Sequence, residues 1–509
     1  MLARAGLAGI SFLPRLHLGS VAHFHSQPAL SQDGGTCRSS PAGAQQTTMN
    51  SLQIDILDGR QSILVKILRL AWPVTISMLL QSSYSLVDMF YVAQLGEDAI
   101  AAVTLTGILM FAVFALSRVF AAGMQSMVAR SYGLRNLKNA EVIFRDGLVG
   151  GILAGLVIGV IVMIQPDRVL DALQAEPGVV RVGTGYVSVM AAGSAGMIGL
   201  LTLGAGFRGA GDSVSPLVLA TASTILNMVL DPILIFGLGP IPALGTTGAA
   251  IATIISMYLG LAWGISFCMR RNASVRLEFK KPPQLLMLLD LLKIGIPMGL
   301  HYVLLWLTSA ITLYLVAGFG TLEVAASGIV SRITQVAFVA IASVGEATAT
   351  MTGQYLGAGR PLDAKRSAQA SVRLCFIFNS LFSLVLAFYS PLFLSAFTSD
   401  AQTVALGTAY MKLSSIMLVC LSITITLSRA FQGAGYTMWP TVIMGVRFAT
   451  FGLFAYLLAW KAALLAPGVW LAVVISAAIQ SVLIAFLYAK GSWTRTRLRS
   501  LDAATPEAA

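Results

Sequence analysis

From residue 67 onward, polar positions divide the chain into apolar stretches of about 20 to 28 residues. A helix of about 20 apolar residues is long enough to cross the hydrocarbon core of a bilayer. The pattern therefore predicts twelve transmembrane helices, near 67–91, 99–126, 142–164, 183–207, 215–237, 247–269, 291–318, 325–353, 370–396, 405–428, 438–460 and 467–489.

The charged residues between these stretches indicate which side of the membrane each loop occupies. If the N-terminus is cytoplasmic, 23 Lys and Arg residues fall in cytoplasmic segments and 3 fall in outer loops. Cytoplasmic loops of membrane proteins carry such an excess of Lys and Arg. We therefore expect a multi-pass plasma-membrane protein with both termini in the cytoplasm. The inner membrane of a bacterium is the expected location.

The chain also repeats itself at one fixed offset. Residues 207–211 (FRGAG) return 224 positions later as residues 431–435 (FQGAG). The same offset of 224 relates four pairs of Gly or Pro residues, namely Pro73 and Pro297, Gly96 and Gly320, Gly133 and Gly357, and Pro216 and Pro440. A constant register over separate regions indicates two halves descended from one six-helix unit. Because six is even, both halves insert the same way up, so we expect a substrate cleft between them.

These observations predict an all-α polytopic membrane protein, built from two six-helix bundles related by a pseudo-two-fold axis along the membrane normal. We expect the bundles at 49–269 and 291–490, a cytoplasmic linker at 270–290 and a cytoplasmic tail at 491–509. Residues 1–48 are rich in Ser, Gly, Ala and Arg and are predicted to be a disordered leader. They are either an organellar transit peptide or translated sequence upstream of a start at Met49.

Composition narrows the function classes. The chain is 57 % hydrophobic and only 11 % charged, which excludes soluble enzymes of this size. Its net charge of +12 comes from small groups at the ends of apolar runs, which argues against a nucleic-acid partner. The four cysteines show no metal-ligand spacing, and no catalytic motif occurs. We expect no enzyme activity, no catalytic residue, no metal and no cofactor.

Two acids in the first half lie within predicted membrane spans. Asp88 is late in the first span, and Asp231 is late in the fifth, one helical turn after Asn227 and directly before Pro232. A carboxylate inside a membrane is costly and is a candidate functional group. Burial disfavours its charged form, so such an acid is suited to loading and releasing a proton, while fixed hydrogen bonding between helices is the alternative. Pro232 is a candidate hinge because proline removes one backbone hydrogen bond of the helix.

Several short motifs together resemble the multidrug and toxic compound extrusion (MATE) family, over about residues 60 to 490. The motifs are LVD at 86–88 followed by LG at 95–96, VARSYG at 128–133, RGAGD at 208–212, NMVLDP at 227–232 and GQYLGAG at 353–359. The resemblance is to the proton-linked, DinF-like branch. It implies alternating-access export of amphipathic, cationic compounds in exchange for H⁺ or Na⁺.

The resemblance also implies residue roles. Asp88, Asn227 and Asp231 match the ion site of the proton-linked branch. Tyr186 and Thr253 match further polar positions of that site. Thr202 lies near the position at which the family carries an Asn on helix 4, and Pro73 matches the family's helix 1 proline. The acid that a sodium-linked branch carries on helix 7 falls near Leu305, which favours H⁺ over Na⁺.

Three further ionisable residues are weaker candidates for the site. Glu346 is expected to be a structural partner of a hydroxyl or an Arg rather than a transport residue, and His301 a packed residue rather than a titrating gate. Arg118 is expected to extend from near a helix end towards the membrane surface.

Three other functions are alternatives to a proton-coupled exporter. They are a Na⁺-coupled exporter, a flippase for a lipid-linked substrate, which Arg447 favours, and a membrane-embedded enzyme. The expected partners are a small amphipathic substrate, H⁺ and the lipid bilayer, and the expected state is a monomer.

Overall fold

The computed structural model describes residues 53–172, 176–270, 273–278 and 283–496. The predicted leader at 1–48 lies outside the described residues, as does the end of the predicted tail at 497–509.

Helices account for nearly all regular structure in the described part of the chain. The first half contains α1 (Ile63–Ala93), α2 (Glu97–Gly133), α3 (Leu137–Ile164), α4 (Pro166–Ala172), α5 (Pro177–Ala192), α6 (Ser194–Gly209), α7 (Val214–Phe236) and α8 (Gly245–Cys268). The second half contains α9 (Leu285–Ala317), α10 (Thr321–Gly357), α11 (Pro361–Phe388), α12 (Ser390–Ser395), α13 (Ala401–Gly433), α14 (Met438–Tyr456), a π-helical turn (Leu457–Lys461), α15 (Leu465–Lys490) and a 3₁₀ turn (Ser492–Arg495).

The helices confirm the predicted all-helical, polytopic membrane fold. Within the described residues, 11 spans are long and apolar enough to cross a membrane, and α5 with α6 makes a twelfth when the two are taken together. We call the membrane side at which α1 begins the linker face, because the segment between α8 and α9 lies there.

The fourth predicted span is broken rather than continuous. The pattern predicts one helix over 183–207, whereas α5 and α6 meet at a bend of 43°. Gly193 lies at the bend, followed by Ser194, and such Gly/Ser pairs are weak points of a helix. A Cβ atom at position 193 would lie only 2.5 Å from Ile254 of α8 and would overlap it, so the glycine lets α8 approach closely.

Helices α2 and α10 are longer than their apolar stretches. Both contain 37 residues and continue to Gly133 and Gly357, beyond the predicted ends at 126 and 353. Their last turns are buried because the two helices pack against each other there. A Cβ atom on Gly133 of α2 would overlap the Gln354 carbonyl oxygen of α10, and one on Gly357 of α10 would overlap the Arg130 carbonyl oxygen of α2. Hydropathy alone assigns such turns to loops.

Each half has its own core, and the two cores match at the offset of 224. Phe207 is fully buried in the first core and Phe431 in the second. The first helix of each half also packs into the core of the other half. Ile67 and Leu70 of α1 lie in the second core, and their counterparts Leu291 and Ile294 of α9 lie in the first. The halves are therefore interlocked through α1 and α9 near the linker face.

Candidate coupling site and cavity

The conformation of α7 places Asn227 and Asp231 on one face, a single turn apart. Asn227 donates from Nδ2 to Asp231 Oδ1 at 3.1 Å, and also lies 3.3 Å from the hydroxyl of Thr253 on α8. The same hydroxyl lies 3.0 Å from the Tyr84 hydroxyl on α1. Three helices are thus joined by one polar network. Tyr84 is the member that sequence reasoning missed, because a Tyr in an apolar helix gives no signal of its own.

No positively charged side chain of the described residues lies beside the two acids of this site. Asp231 is fully buried, and its Oδ2 has no hydrogen-bond partner. Asp88 is half-buried, with a buried Oδ1 that is also unpartnered. In the described part of the chain, no Lys, Arg or His nitrogen lies within 4 Å of either carboxylate. An unpaired buried carboxylate is costly, and taking up a proton or a cation removes much of that cost.

Two supporting candidates have different surroundings. Tyr186 of α5 is buried in a cluster with Val92 of α1 and Ile235 of α7, the helices that carry Asp88 and Asp231. Thr202 does not join the network. It is fully buried in α6, where a side chain at Gly151 of α3 would meet its Oγ1 at 3.1 Å. The face of α6 that carries Thr202 is turned towards α3.

Both candidate hinge prolines lie inside continuous helices. Pro73 is buried in α1, and Pro232 lies in α7 directly after Asp231. Ser77 adds a bond from its hydroxyl to the Pro73 carbonyl oxygen at 2.9 Å. A proline deprives the residue four positions earlier of its hydrogen-bond donor, so each helix has a point of low bending resistance near the cavity.

A cavity of about 190 Å³ lies beside this network. Tyr84, Asn227 and Thr253 line one end of it, and Arg118, Arg208 and Glu346 line the other. The cavity is enclosed mainly by α1, α6, α7 and α8 of the first half, whereas the sequence predicts a cleft between the halves. Small side chains explain the difference, since Gly204, Ala220 and Ser223 leave space between α6 and α7.

The far end of the cavity holds a cluster of charged side chains. The Glu346 carboxylate lies 3.0 Å from Arg429 Nη2, 3.5 Å from Arg208 Nε and 3.6 Å from Arg118 Nη1. We call Arg118, Arg208, Arg429 and Glu346 the arginine cluster. Two of its arginines come from the first half, while Glu346 and Arg429 come from the second.

The cluster is held by further contacts of its arginines. Arg429 donates to the Tyr302 hydroxyl of α9 and to Gln432 Oε1, the latter at 2.7 Å. The Arg118 guanidinium lies over the rings of Phe114 and Tyr302, at 4.7 and 5.0 Å. Contacts of a cation with an aromatic face are attractive. These contacts fix the orientation of two arginines at the boundary between the halves.

The cluster revises several expectations from the sequence. Glu346 is paired with arginine, as expected. Arg118 does not extend to the membrane surface but turns into the bundle, and Arg208 and Arg429, assigned to cytoplasmic loops in the charge count, point to Glu346. The sequence does not reveal these contacts, because arginines at helix ends usually extend to the membrane surface. The one signal in the sequence is the acid Glu346 within another span.

The remaining candidates lie away from the acid network. The His301 ring packs edge to face on Tyr302 at 6.2 Å, and its Nδ1 is buried without a partner. Arg447 is buried and donates to Gln480 Oε1 at 3.0 Å. Neither side chain lines the cavity.

Comparison with known proteins identifies the family. The chain is 27 % identical over 337 residues to the "FAD transporter" of Shewanella oneidensis, covering 66 % of this chain and 75 % of the relative. It is 26 % identical to the "Probable multidrug resistance protein YoeA" of Bacillus subtilis, covering 84 % and 94 %.

A solved structure described as the outward-facing conformation of a multidrug resistance MATE family transporter matches the fold. The TM-score is 0.78 at 24 % identity, with 87 % of this chain and 98 % of that chain covered. The MatE family model matches twice, at residues 73–233 and 297–457, and these two starts are 224 residues apart. The chain therefore belongs to the MatE family of membrane transporters and is not an enzyme.

Proposed function

We propose that this transporter is an antiporter that exports amphipathic compounds in exchange for H⁺ by alternating access. The observation that carries the proposal is the bond between Asn227 and Asp231 at the edge of the cavity, with one oxygen of the fully buried Asp231 left unpartnered. We propose further that the protein functions as a monomer in a bacterial inner membrane, with both termini in the cytoplasm.

Coupling follows from competition between proton and ligand. When Asp231 is charged, Asn227 stabilises it through the 3.1 Å bond, and a cationic group of a ligand is attracted to this end of the cavity. When Asp231 takes up a proton, that attraction is lost. A ligand and a proton that prefer different states of one protein shift its conformational equilibrium in opposite directions.

The choice of H⁺ over Na⁺ is supported by one position in the second half. Leu305, at the position where a sodium-linked branch carries its acid, offers no ligand. A Na⁺-coupled exporter is the alternative that the same experiment tests.

The charge of the substrate is a separate question. A cationic compound, as the resemblance implies, suits the end of the cavity next to Asp88 and Asp231. The name of the Shewanella relative, FAD transporter, points instead to a compound that carries phosphate. The opposite end of the cavity contains two arginines, so the cavity offers different charges at its two ends.

The flippase alternative loses the residue that favoured it. Arg447 was the candidate for binding an anionic lipid headgroup, but it is buried against Gln480 outside the cavity lining. Arg118 and Arg208 do line the cavity, so a flippase stays the alternative and export of small amphipathic compounds is the proposed function.

The proposal is tested by export of a cationic dye from proteoliposomes that contain the full chain. A proton gradient is expected to drive export, and a sodium gradient of equal size is expected not to. Asp231→Asn should abolish the proton-driven component, whereas Asp98→Asn, which changes an exposed acid at the start of α2, should leave it unchanged. Export driven by sodium alone, or full proton-driven export in Asp231→Asn, would contradict the proposal.

A further inference from the structure

The arginine cluster carries more positive charge than its own acid can balance. Three guanidinium groups surround one carboxylate, and in the described part of the chain Glu346 is the acid within 4 Å of them. The cluster therefore has a net charge of +2. Unbalanced charge inside a membrane protein is costly and marks a functional site.

The two arginines that line the cavity are the ones that Glu346 holds least well. Arg429 approaches the carboxylate to 3.0 Å and has two further partners, Tyr302 and Gln432. Arg118 and Arg208 remain at 3.6 and 3.5 Å, beyond the usual distance of a charge-assisted hydrogen bond. The Nε atom of each is buried and has no hydrogen-bond partner.

These two arginines also face the space where a ligand would lie. Arg118 and Arg208 line the cavity together with Glu346, whereas Arg429 does not. Apolar side chains, among them Met78, Leu200 and Leu219, cover the wall between this end and Asn227. Pro216 and Asn227, which both line the cavity on α7, are eleven residues apart, or about 16 Å along the helix.

We propose that Arg118 and Arg208 form a binding site for an anionic group, a carboxylate or a phosphate, of an amphipathic ligand. Glu346 faces both arginines as such a group would. A planar guanidinium matches carboxylate and phosphate oxygens well, and two of them can hold one such group from different sides. The inference rests on the proposed function only in taking this cavity as the transport cavity.

The site also couples a ligand to the contact between the halves. Arg118 and Arg208 belong to the first half and Glu346 to the second, so each ion pair with Glu346 crosses the boundary. An anionic ligand that engages the two arginines competes with Glu346 and weakens this link. A ligand can shift a conformational equilibrium only through such a difference in contacts between states.

The experiment compares matched dyes that differ in one anionic group. Flavin mononucleotide and riboflavin differ by a phosphate, while rhodamine 19 and rhodamine 6G differ by a free carboxylate against its ethyl ester. Binding of each to the full chain in lipid nanodiscs is followed by fluorescence, without any ion gradient. We expect the anionic member of at least one pair to bind about tenfold more tightly. The pair that shows this preference identifies the anion.

Variants assign the preference to the cluster. Arg118→Gln and Arg208→Gln should each bring the two members of the preferred pair to nearly equal affinity. Arg118→Lys, which keeps the charge but not the planar guanidinium, should keep only part of the difference. Arg332→Gln removes the same charge from an exposed position on α10 and should change nothing.

Two results would overturn the proposal. One is equal binding within both pairs by the wild-type protein. The other is a preference that persists in Arg118→Gln and Arg208→Gln, which would leave the cluster a purely structural link between the halves. Because binding is measured without a gradient, failure of proton coupling leaves this result unaffected, and dye export from the same preparation reports on coupling separately.

Discussion

Gly133 of α2 and Gly357 of α10 pack directly against each other across the boundary between the halves. A Cβ atom on Gly357 would lie 3.0 Å from the Gly133 Cα and would overlap the Arg130 carbonyl oxygen. A Cβ atom on Gly133 would overlap the Gln354 carbonyl oxygen. Gln354 also donates to the Gly209 carbonyl oxygen at 2.9 Å in the same region. Backbone contact thus holds the two halves together at the linker face, at positions related by the internal repeat.

Alanine at either glycine should weaken this contact. The atoms that Gly133→Ala and Gly357→Ala would overlap belong to the backbone, which cannot move aside as a flexible side chain can. We expect each variant to lose about 1 to 3 kcal/mol of stability, by analogy with overpacked cores. Thermal unfolding in detergent measures the loss.

Two other glycines on the same helices are matched controls. A Cβ atom on Gly107 of α2 or Gly328 of α10 would have no neighbour within 4 Å. Gly107→Ala and Gly328→Ala should therefore be neutral or slightly stabilising, since Ala favours helix more than Gly does. Equal unfolding temperatures in all four variants would show that the contact at the linker face contributes little.

Ligand binding should depend on pH through the coupling acids. As pH falls, Asp88 and Asp231 take up protons and lose their attraction for a cationic ligand, so the affinity for a cationic dye should decrease. In Asp231→Asn the position is neutral at every pH, so most of this dependence should disappear. Titrations of rhodamine 6G at several pH values measure it. An unchanged pH profile in Asp231→Asn would mean that this acid does not couple the proton to the ligand.

The candidate hinges should matter for transport more than for binding. Pro73→Ala and Pro232→Ala restore a backbone donor and make α1 and α7 harder to bend, because an interior proline weakens a helix by about 3 kcal/mol. We expect slower dye export with nearly unchanged dye affinity. Pro361→Ala changes a proline at the first position of α11, where no helical bond is lost, and should export normally. A loss of binding equal to the loss of export would argue against a hinge role.

Tags placed between helices test the predicted orientation in the membrane. From the Lys and Arg bias we predict that tags at the C-terminus and between α8 and α9 are cytoplasmic, and that a tag between α4 and α5 is outside. Accessibility of the tags in intact cells and in inverted vesicles measures this. A C-terminus accessible from outside would contradict both the orientation and an even number of spans.

Local chain geometry explains how much of the site could be predicted. Asn227 and Asp231 are four residues apart on one helix, so their contact follows from helical periodicity alone. The partners of this pair, Thr253 and Tyr84, come from two other helices. Thr253 was named through the family resemblance and Tyr84 was missed, because nothing in a single sequence records which helix faces meet.

By itself, the sequence determined the helical membrane fold, the internal repeat and the acids of the first half, since these depend on apolar length, constant offset and spacing along one helix. Tertiary structure alone decided the bend at Gly193, the packing of α1 and α9 into each other's halves, and the gathering of Arg118, Arg208 and Arg429 around Glu346. The physical reason is that an apolar side chain suits lipid and a neighbouring helix equally well, so hydropathy does not encode helix packing. Small residues and a few buried polar contacts decide that packing. Which residues contact each other is defined only once the helices are packed.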